Sequence, residues 1–166
     1  YNQKKIQQSG IDTLVSSCAE CFRTFARDYE LEDIKVMHTT EFLIEQGFDM
    51  NLKAEEETTV TYHDPCRLGR QMGVYEEPRE LIQSVEGVSI VEMEHSGEDA
   101  MCCGVSSMMS CNENARALRV ARMEEIKSTG ADTMLTACPK CVTHFECLKF
   151  EGDERYADIK LSLIHI

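Results

Sequence analysis

Short runs rich in β-branched and apolar residues alternate along the chain with longer charged stretches in which apolar residues recur at three- and four-residue steps. Alternation of that kind is the pattern of parallel strands joined by crossover helices. It predicts strands near Thr13–Ser17, Ile34–His38, Thr58–His63, Val88–Met93 and Thr133–Thr136, and helices over Cys21–Tyr29, Thr40–Gln46, Pro78–Ser84, Asn112–Ser128 and Pro139–Phe150. The fold class expected is therefore α/β, with parallel sheets and crossover helices. The clearest helix is Asn112–Ser128, where Ala117, Val120, Ala121, Met123 and Ile126 recur at helical spacing, Asn112 can cap the start and Gly130 stops it. That stripe reads as core packing, and Glu55-Glu56-Glu57 as a solvated loop.

Two segments repeat. Gly10-Ile11-Asp12-Thr13 followed by Cys18-Ala19-Glu20-Cys21 matches Gly130-Ala131-Asp132-Thr133 followed by Cys138-Pro139-Lys140-Cys141 at a constant offset of 120 residues, and Phe25 falls on Phe145. Asp33-Ile34-Lys35 recurs as Asp158-Ile159-Lys160. The expected organisation is the tail of one copy over residues 1–50 and a complete second copy over 58–160. Residues 161–166 read as a non-native tail. The opening at Tyr1, without a methionine and directly in a helical, charged segment, reads as an interior start.

At 166 residues the chain can bury one ordinary core, or one repeat and part of another. A net charge of −13 without a visible Lys/Arg cluster argues against nucleic acid and anionic membrane surfaces as partners. Nine cysteines, an odd number, without a signal peptide or an apolar span read as metal ligands in a reducing, cytoplasmic setting rather than as a disulfide framework.

The spacing of those cysteines carries the chemistry. Cys66 is followed after 35 residues by Cys102-Cys103-Gly104, and after 34 more by Cys138-Pro139-Lys140-Cys141. Cys18, Cys66 and Cys138 each follow a predicted strand, so they should share the carboxyl edge of the sheets, where ligands of open parallel sheets bind. Five thiols exceed what one zinc takes, and an adjacent pair suits a multinuclear cluster better than a single tetrahedral ion. The start of a helix at Pro139 would place free N–H groups and a favourable dipole beside Cys138 and Cys141. Gly69, Gly73 and Gly104 would let backbone amides approach the sulfurs.

His63-Asp64-Pro65-Cys66-Arg67-Leu68-Gly69-Arg70, Pro78-Arg79-Glu80, Cys102-Cys103-Gly104 and Ala137-Cys138-Pro139-Lys140-Cys141 together resemble the cysteine-rich CCG domain of heterodisulfide reductases. Ser17-Cys18-Ala19-Glu20-Cys21-Phe22-Arg23-Thr24-Phe25 and His38-Thr39-Thr40-Glu41-Phe42-Leu43 look most like the catalytic iron–sulfur subunit that pairs with a membrane cytochrome, or its sulfate-reducer counterpart. The likeness runs from Ile11 to about Phe150. It implies a duplicated CCG domain in which Cys66, Cys102, Cys103, Cys138 and Cys141 hold a non-cubane [4Fe-4S] cluster that reductively cleaves the disulfide of coenzyme M and coenzyme B. It also implies that Cys18 and Cys21 close a second cluster completed by residues upstream. The implied partners are a disulfide substrate and an electron-donating cytochrome or flavin subunit, with no membrane span in the chain itself but a peripheral place at the membrane through that partner. After Gly104 the chain departs from the glycine-rich stretch of many relatives, with Val105-Ser106-Ser107-Met108-Met109-Ser110-Cys111.

Other residues read more plainly. His63 is expected beside the cluster rather than on it, as a hydrogen-bonded neighbour. Arg67 and Arg70 suit either an anionic substrate or ordinary ion pairs. His38 and His144 read as packing or surface residues, and Cys111 and Cys147 as structural. Two alternatives stand beside the reductase: a related electron-transfer subunit of sulfur metabolism or of a hydroxy-acid oxidase complex, and a zinc-stabilised module built on Cys18, Cys21, Cys138 and Cys141.

Overall fold

The structure, a computed structural model, describes residues 1–47, 52–105 and 112–164; Cys111 and the Ser106–Ser110 stretch lie outside the described residues. The chain opens with α1 (Asn2–Gln8), β1 (Thr13–Ser16), α2 (Ala19–Arg27), β2 (Lys35–His38) and α3 (Thr39–Glu45). There follow β3 (Lys53–His63), α4 (Gly69–Met72), α5 (Glu76–Gln83), β4 (Glu86–Ile90), α6 (Glu113–Ser128), β5 (Thr133–Thr136), α7 (Pro139–Phe150) and β6 (Lys160–Leu163). β1 and β2 make a two-stranded parallel sheet, and the other four strands a parallel sheet in the order β4-β3-β5-β6. The alternation expected from sequence is thus the architecture found.

β3 is one of the two inner strands of its sheet, and its second half is buried on both faces. Val60, Thr61, Tyr62 and His63 are all buried, as a strand with helices on both sides requires. Its register sets Val60 beside Thr133 and His63 beside Thr136, so β3 and β5 end together. Its first half holds Glu55, Glu56 and Glu57, which are solvated as expected but extended in the strand rather than in a loop. β6 runs into the residues read from sequence as a non-native tail: Lys160 to Leu163 pair in parallel with Thr133 to Thr136, so Leu161–Leu163 lie in the sheet.

Helix α6 begins where expected, with the Asn112 side chain accepting from the Ala115 amide at 2.9 Å, and Gly130 just beyond its end lies at φ 70°. Its buried face differs from the apolar stripe. Ala115, Arg119, Arg122, Met123, Glu125 and Ile126 are buried, while Ala117 and Ala121 are exposed. The helix has turned its 115–119–122–126 row inward, where Arg122 meets the buried His63 and Glu125 described below. Beneath the sheets one core joins Ala19 and Phe22 of the first part to Leu68, Met123, Phe145 and Leu148 of the second, and α3 packs on α5. Among the described residues no helix is long and apolar enough to cross a membrane.

Candidate metal centre

β1 and β5 both run directly into a CxxC turn. Cys18 precedes α2 at φ −111°, ψ 119°, and Cys138 precedes α7 at φ −130°, ψ 114°, so in each case the first cysteine stands at the helix N-cap. Pro139 fills the first turn of α7, where a missing N–H costs nothing. β3 ends at His63, and its turn Asp64-Pro65-Cys66 is pinned from several sides. Arg79 grips Asp64 with two nitrogens at 2.8 and 2.9 Å, and the Gly97 amide donates to the same carboxylate at 2.9 Å. Arg79 is itself held by Glu92 and lies over the Tyr62 ring at 5.3 Å. One carboxylate thereby ties the loop carrying Cys66 to the chain leading to Cys102.

Cys66, Cys102, Cys103, Cys138 and Cys141 form a continuous path of sulfur contacts. The Cys66 thiol bonds to Cys102, which raises its pKa further than burial alone would, and Cys102 also meets Cys103. Cys103 bonds to Cys141, and Cys141 to Cys138. Cys102 and burial push the Cys103 thiol up to about 12 against the lowering bond from Cys141, while Cys103, Cys138 and burial hold Cys141 well above the usual thiol range. Cys138 goes the other way, down to about 7, because the Cys141 thiol and the Cys141 and Lys140 amides all donate to it while burial opposes them. The set has a graded acidity: its N-cap sulfur is the readiest thiolate, as a helix N-terminus predicts.

Backbone amides converge on the sulfurs. The Gly104 amide donates to Cys102 Sγ at 3.3 Å, and the Val105 amide lowers the Cys103 thiol. Gly104 sits at φ 87°, and a Cβ there would stand 2.5 Å from the Ala115 carbonyl oxygen. Glycine is needed on both counts. The His144 ring, half-buried, donates from Nδ1 to the Cys103 carbonyl at 2.8 Å. The expectation that His144 is a packing or surface residue is therefore corrected; it braces the Cys102-Cys103 turn.

Behind the thiols lies a polar network that the apolar periodicity does not announce. Arg122 is fully buried and donates from Nε to His63 Nδ1 at 3.1 Å, and from Nη1 to the His95 carbonyl at 2.7 Å and to Glu125 at 2.6 Å. Burial, together with this guanidinium, pushes His63 down to about 3, so the ring is neutral. Burial would raise the Glu125 carboxyl, yet the His95 amide and Arg122 bring it below its usual value. Arg119, also fully buried, bonds Glu151 at 3.1 Å, while its Nε and Nη1, and Nη2 of Arg122, have no hydrogen-bond partner among the described residues.

Cys103, Cys141 and His63 present ligand atoms within 4.8 Å of one another, all buried. Beside them a cavity of about 140 Å³ is lined by Pro65, Cys66, Arg67, Gln71, Val105, Cys138, Lys140, Cys141 and Glu20. Soft thiols, inward amides and two buried guanidiniums with unused donors fit an anionic iron–sulfur group rather than a neutral ligand. Arg67 bonds Gln71 at 2.9 Å and Arg70 the Ala100 carbonyl at 2.7 Å, so among the described residues neither makes the ion pair considered from sequence. Cys18 and Cys21 meet each other, and the Cys21 thiol is raised by burial and by that contact. They do not join Cys138 or Cys141 in a group of three among the described residues; what crosses between the two turns is the Glu20–Lys140 ion pair.

Residues 60–146 match the family model described as a cysteine-rich domain, CCG. The chain is 37% identical over 150 residues to a subunit of the dihydromethanophenazine:CoB–CoM heterodisulfide reductase of Methanosarcina acetivorans, covering 85% of this chain and 37% of that protein. It is 36% identical over 148 residues to a subunit of the fumarate reductase (CoM/CoB) of Methanothermobacter marburgensis, covering 86% and 29%. A probable iron-sulfur-binding oxidoreductase of Bacillus subtilis is 31% identical over 148 residues, covering 86% and 21%. The chain thus spans between 21% and 37% of the length of these relatives.

Proposed function

The chain belongs to the cysteine-rich CCG domain family, and from that premise we propose that it is the catalytic iron–sulfur part of a heterodisulfide reductase. Cys66, Cys102, Cys103, Cys138 and Cys141 would hold a non-cubane [4Fe-4S] group. The observation that carries this reading is the unbroken path of sulfurs from Cys66 to Cys138. A single tetrahedral zinc would draw four sulfurs to about 3.8 Å of one another, from Zn–S bonds of about 2.3 Å. A path along five suits a group with several irons.

When bound, the group supplies single electrons at a sulfur-facing site. The reaction proposed is cleavage of one S–S bond, that of the coenzyme M–coenzyme B disulfide, with two electrons and two protons taken up to give two thiols. The residues of the chain bind and orient. Arg67, beside Cys66 at the cavity, and Lys140 opposite it offer cations to an acidic disulfide. The apolar wall of Pro65 and Val105 limits water there. Electrons would come from a cytochrome or flavin subunit, in the cytoplasm or at the membrane surface.

The duplication is part of the same proposal. β1 pairs β2 with Thr13 beside Lys35, as β5 pairs β6 with Thr133 beside Lys160, and each pair brackets a CxxC helix. Residues 1–50 are read as the end of a first CCG copy and 58–160 as a full second one, with Cys18 and Cys21 serving a second group completed by cysteines of the longer protein.

The likeness to part of a fumarate reductase favours a second reading, in which the same group only relays electrons. Anaerobic reconstitution followed by a disulfide-reduction assay with a reduced dye as donor separates the two. Thiol release that depends on Cys66 and Cys103 supports the reductase; a loaded protein that takes electrons but leaves every disulfide intact supports the relay. A protein with one zinc and no acid-labile sulfide would support the zinc-stabilised module instead.

A further inference from the structure

We propose that Arg122 fixes the tautomer of His63, making that ring a hydrogen-bond donor to the sulfurs of the metal group and excluding it as a ligand. The inference rests on the iron–sulfur reading of the site for its consequence, though not for its geometry. A guanidinium has only N–H groups to offer. Its Nε stands 3.1 Å from His63 Nδ1, so Nδ1 must present a lone pair, and the single proton of the neutral ring must sit on Nε2. Coordination through Nε2 would move that proton to Nδ1 and set N–H against N–H at hydrogen-bond distance, in a pocket where His63 is 1% and Arg122 0% exposed. Coordination through Nδ1 would displace the guanidinium from a bond it has no other group to replace.

Arg122 cannot swing away cheaply, because Nη1 is committed as well. It is shared by the His95 carbonyl and Glu125 Oε2, and Glu125 Oε1 takes both the amide and the ring Nδ1 of His95. From the half-exposed His95 inward, each group orients the next: carboxylate, guanidinium, imidazole, sulfur. The His63 ring meets Phe145 edge-on, with centroids 5.0 Å apart, and one of its nitrogens lies within 4.8 Å of the sulfurs of Cys103 and Cys141, the acceptors this proposal assigns to its N–H. An N–H aimed at a sulfur stabilises the more negative, reduced state of the group and raises its reduction potential. Arg122 and Glu125 are positioning residues for that donor.

Nitrogen-15 NMR of histidine in the full metal-free chain tests the assignment directly. The expected spectrum has His63 protonated on Nε2, with a correlation between Arg122 Nε–H and His63 Nδ1, and Arg122→Met should lose that correlation and mix the tautomers. Protonation of Nδ1 in the wild type would overturn the proposal, and that spectrum decides even if the variant fails to fold. In the loaded protein, His63→Gln, which keeps an N–H donor, should retain iron and hold the midpoint potential closer to wild type than His63→Met, whose potential should fall with iron content unchanged. Loss of iron in both variants would make His63 a ligand and overturn the proposal. Failure of wild-type protein to take up iron and sulfide would sink the functional reading instead, leaving the NMR result to stand.

Discussion

The two CxxC turns start alike and end differently. Each follows a four-residue strand, each puts its first cysteine at a helix N-cap with nearly the same backbone angles, and each runs straight into that helix. Yet Cys21 is exposed, while Cys138 and Cys141 are 4% and 3% exposed and linked to three further thiols. The difference comes from outside the motif. β5 lies beside β3, whose end delivers Cys66, and the loop beyond β4 brings Cys102 and Cys103 across; β1 has only β2 for a neighbour among the described residues. Local sequence builds a turn, and only non-local loops turn it into a site.

The comparison predicts its own largest break. Cys103→Ser should abolish iron and sulfide uptake by the five-thiol set, and because metal binding and folding are coupled it should also lower stability. Cys147→Ser, whose thiol bonds the Thr143 carbonyl away from that set, should do neither, and Cys21→Ser should leave the set's iron content unchanged. Iron and sulfide analysis of the three purified variants reads the result.

Acid sensitivity should belong to the second region. His63 stays neutral in the folded chain down to about 3 but takes a proton near its ordinary 6.5 once unfolded. The unfolded state therefore binds more protons between those values, and stability is lost as pH falls from about 6.5 toward 3, by on the order of a few kcal/mol. The lowered Glu125 carboxyl acts with the same sign, its contribution lost as pH falls through its folded value. Urea midpoints of the metal-free chain across that range should slope upward with pH, and His63→Gln should flatten the slope.

Glycines in the two regions sharpen the contrast. Gly104→Ala forces a side chain to φ 87° and into the Ala115 carbonyl, which should cost about 2 to 4 kcal/mol in urea unfolding. Gly10→Ala, at φ 72° with open space around it, should cost about 1 kcal/mol. The smallest effect is expected where the regions touch. The Glu20–Lys140 pair is 26% and 40% exposed, so Glu20→Gln should change stability by less than about 1 kcal/mol.

What the sequence made legible was whatever its local periods and spacings encode. Four-residue strands before each CxxC turn, the Asn112 cap and the convergence of loops at one sheet edge follow from alternation and from the rule that parallel strands carry ligands at their carboxyl ends. The buried face of α6 did not follow, because a reading that counts only apolar residues passes over Arg119 and Arg122. Their signal was present: Ala115, Arg119, Arg122 and Ile126 keep helical spacing, and the thiolates proposed to hold a metal group would need compensating cations. His144 was likewise within reach, since Cys141, His144, Phe145 and Leu148 fall on one face of α7. The length of β3 through three glutamates and the pairing of β6 depend on neighbouring strands, which no local pattern states.

The central claim is that five sulfurs from three separate stretches hold several irons together. Anaerobic purification of the chain with quantitation of iron, zinc and acid-labile sulfide tests it most directly. The account predicts iron and sulfide in near-equal amounts, several of each per chain, lost together in Cys66→Ser. One zinc per chain without sulfide, or iron content indifferent to Cys66, would contradict it.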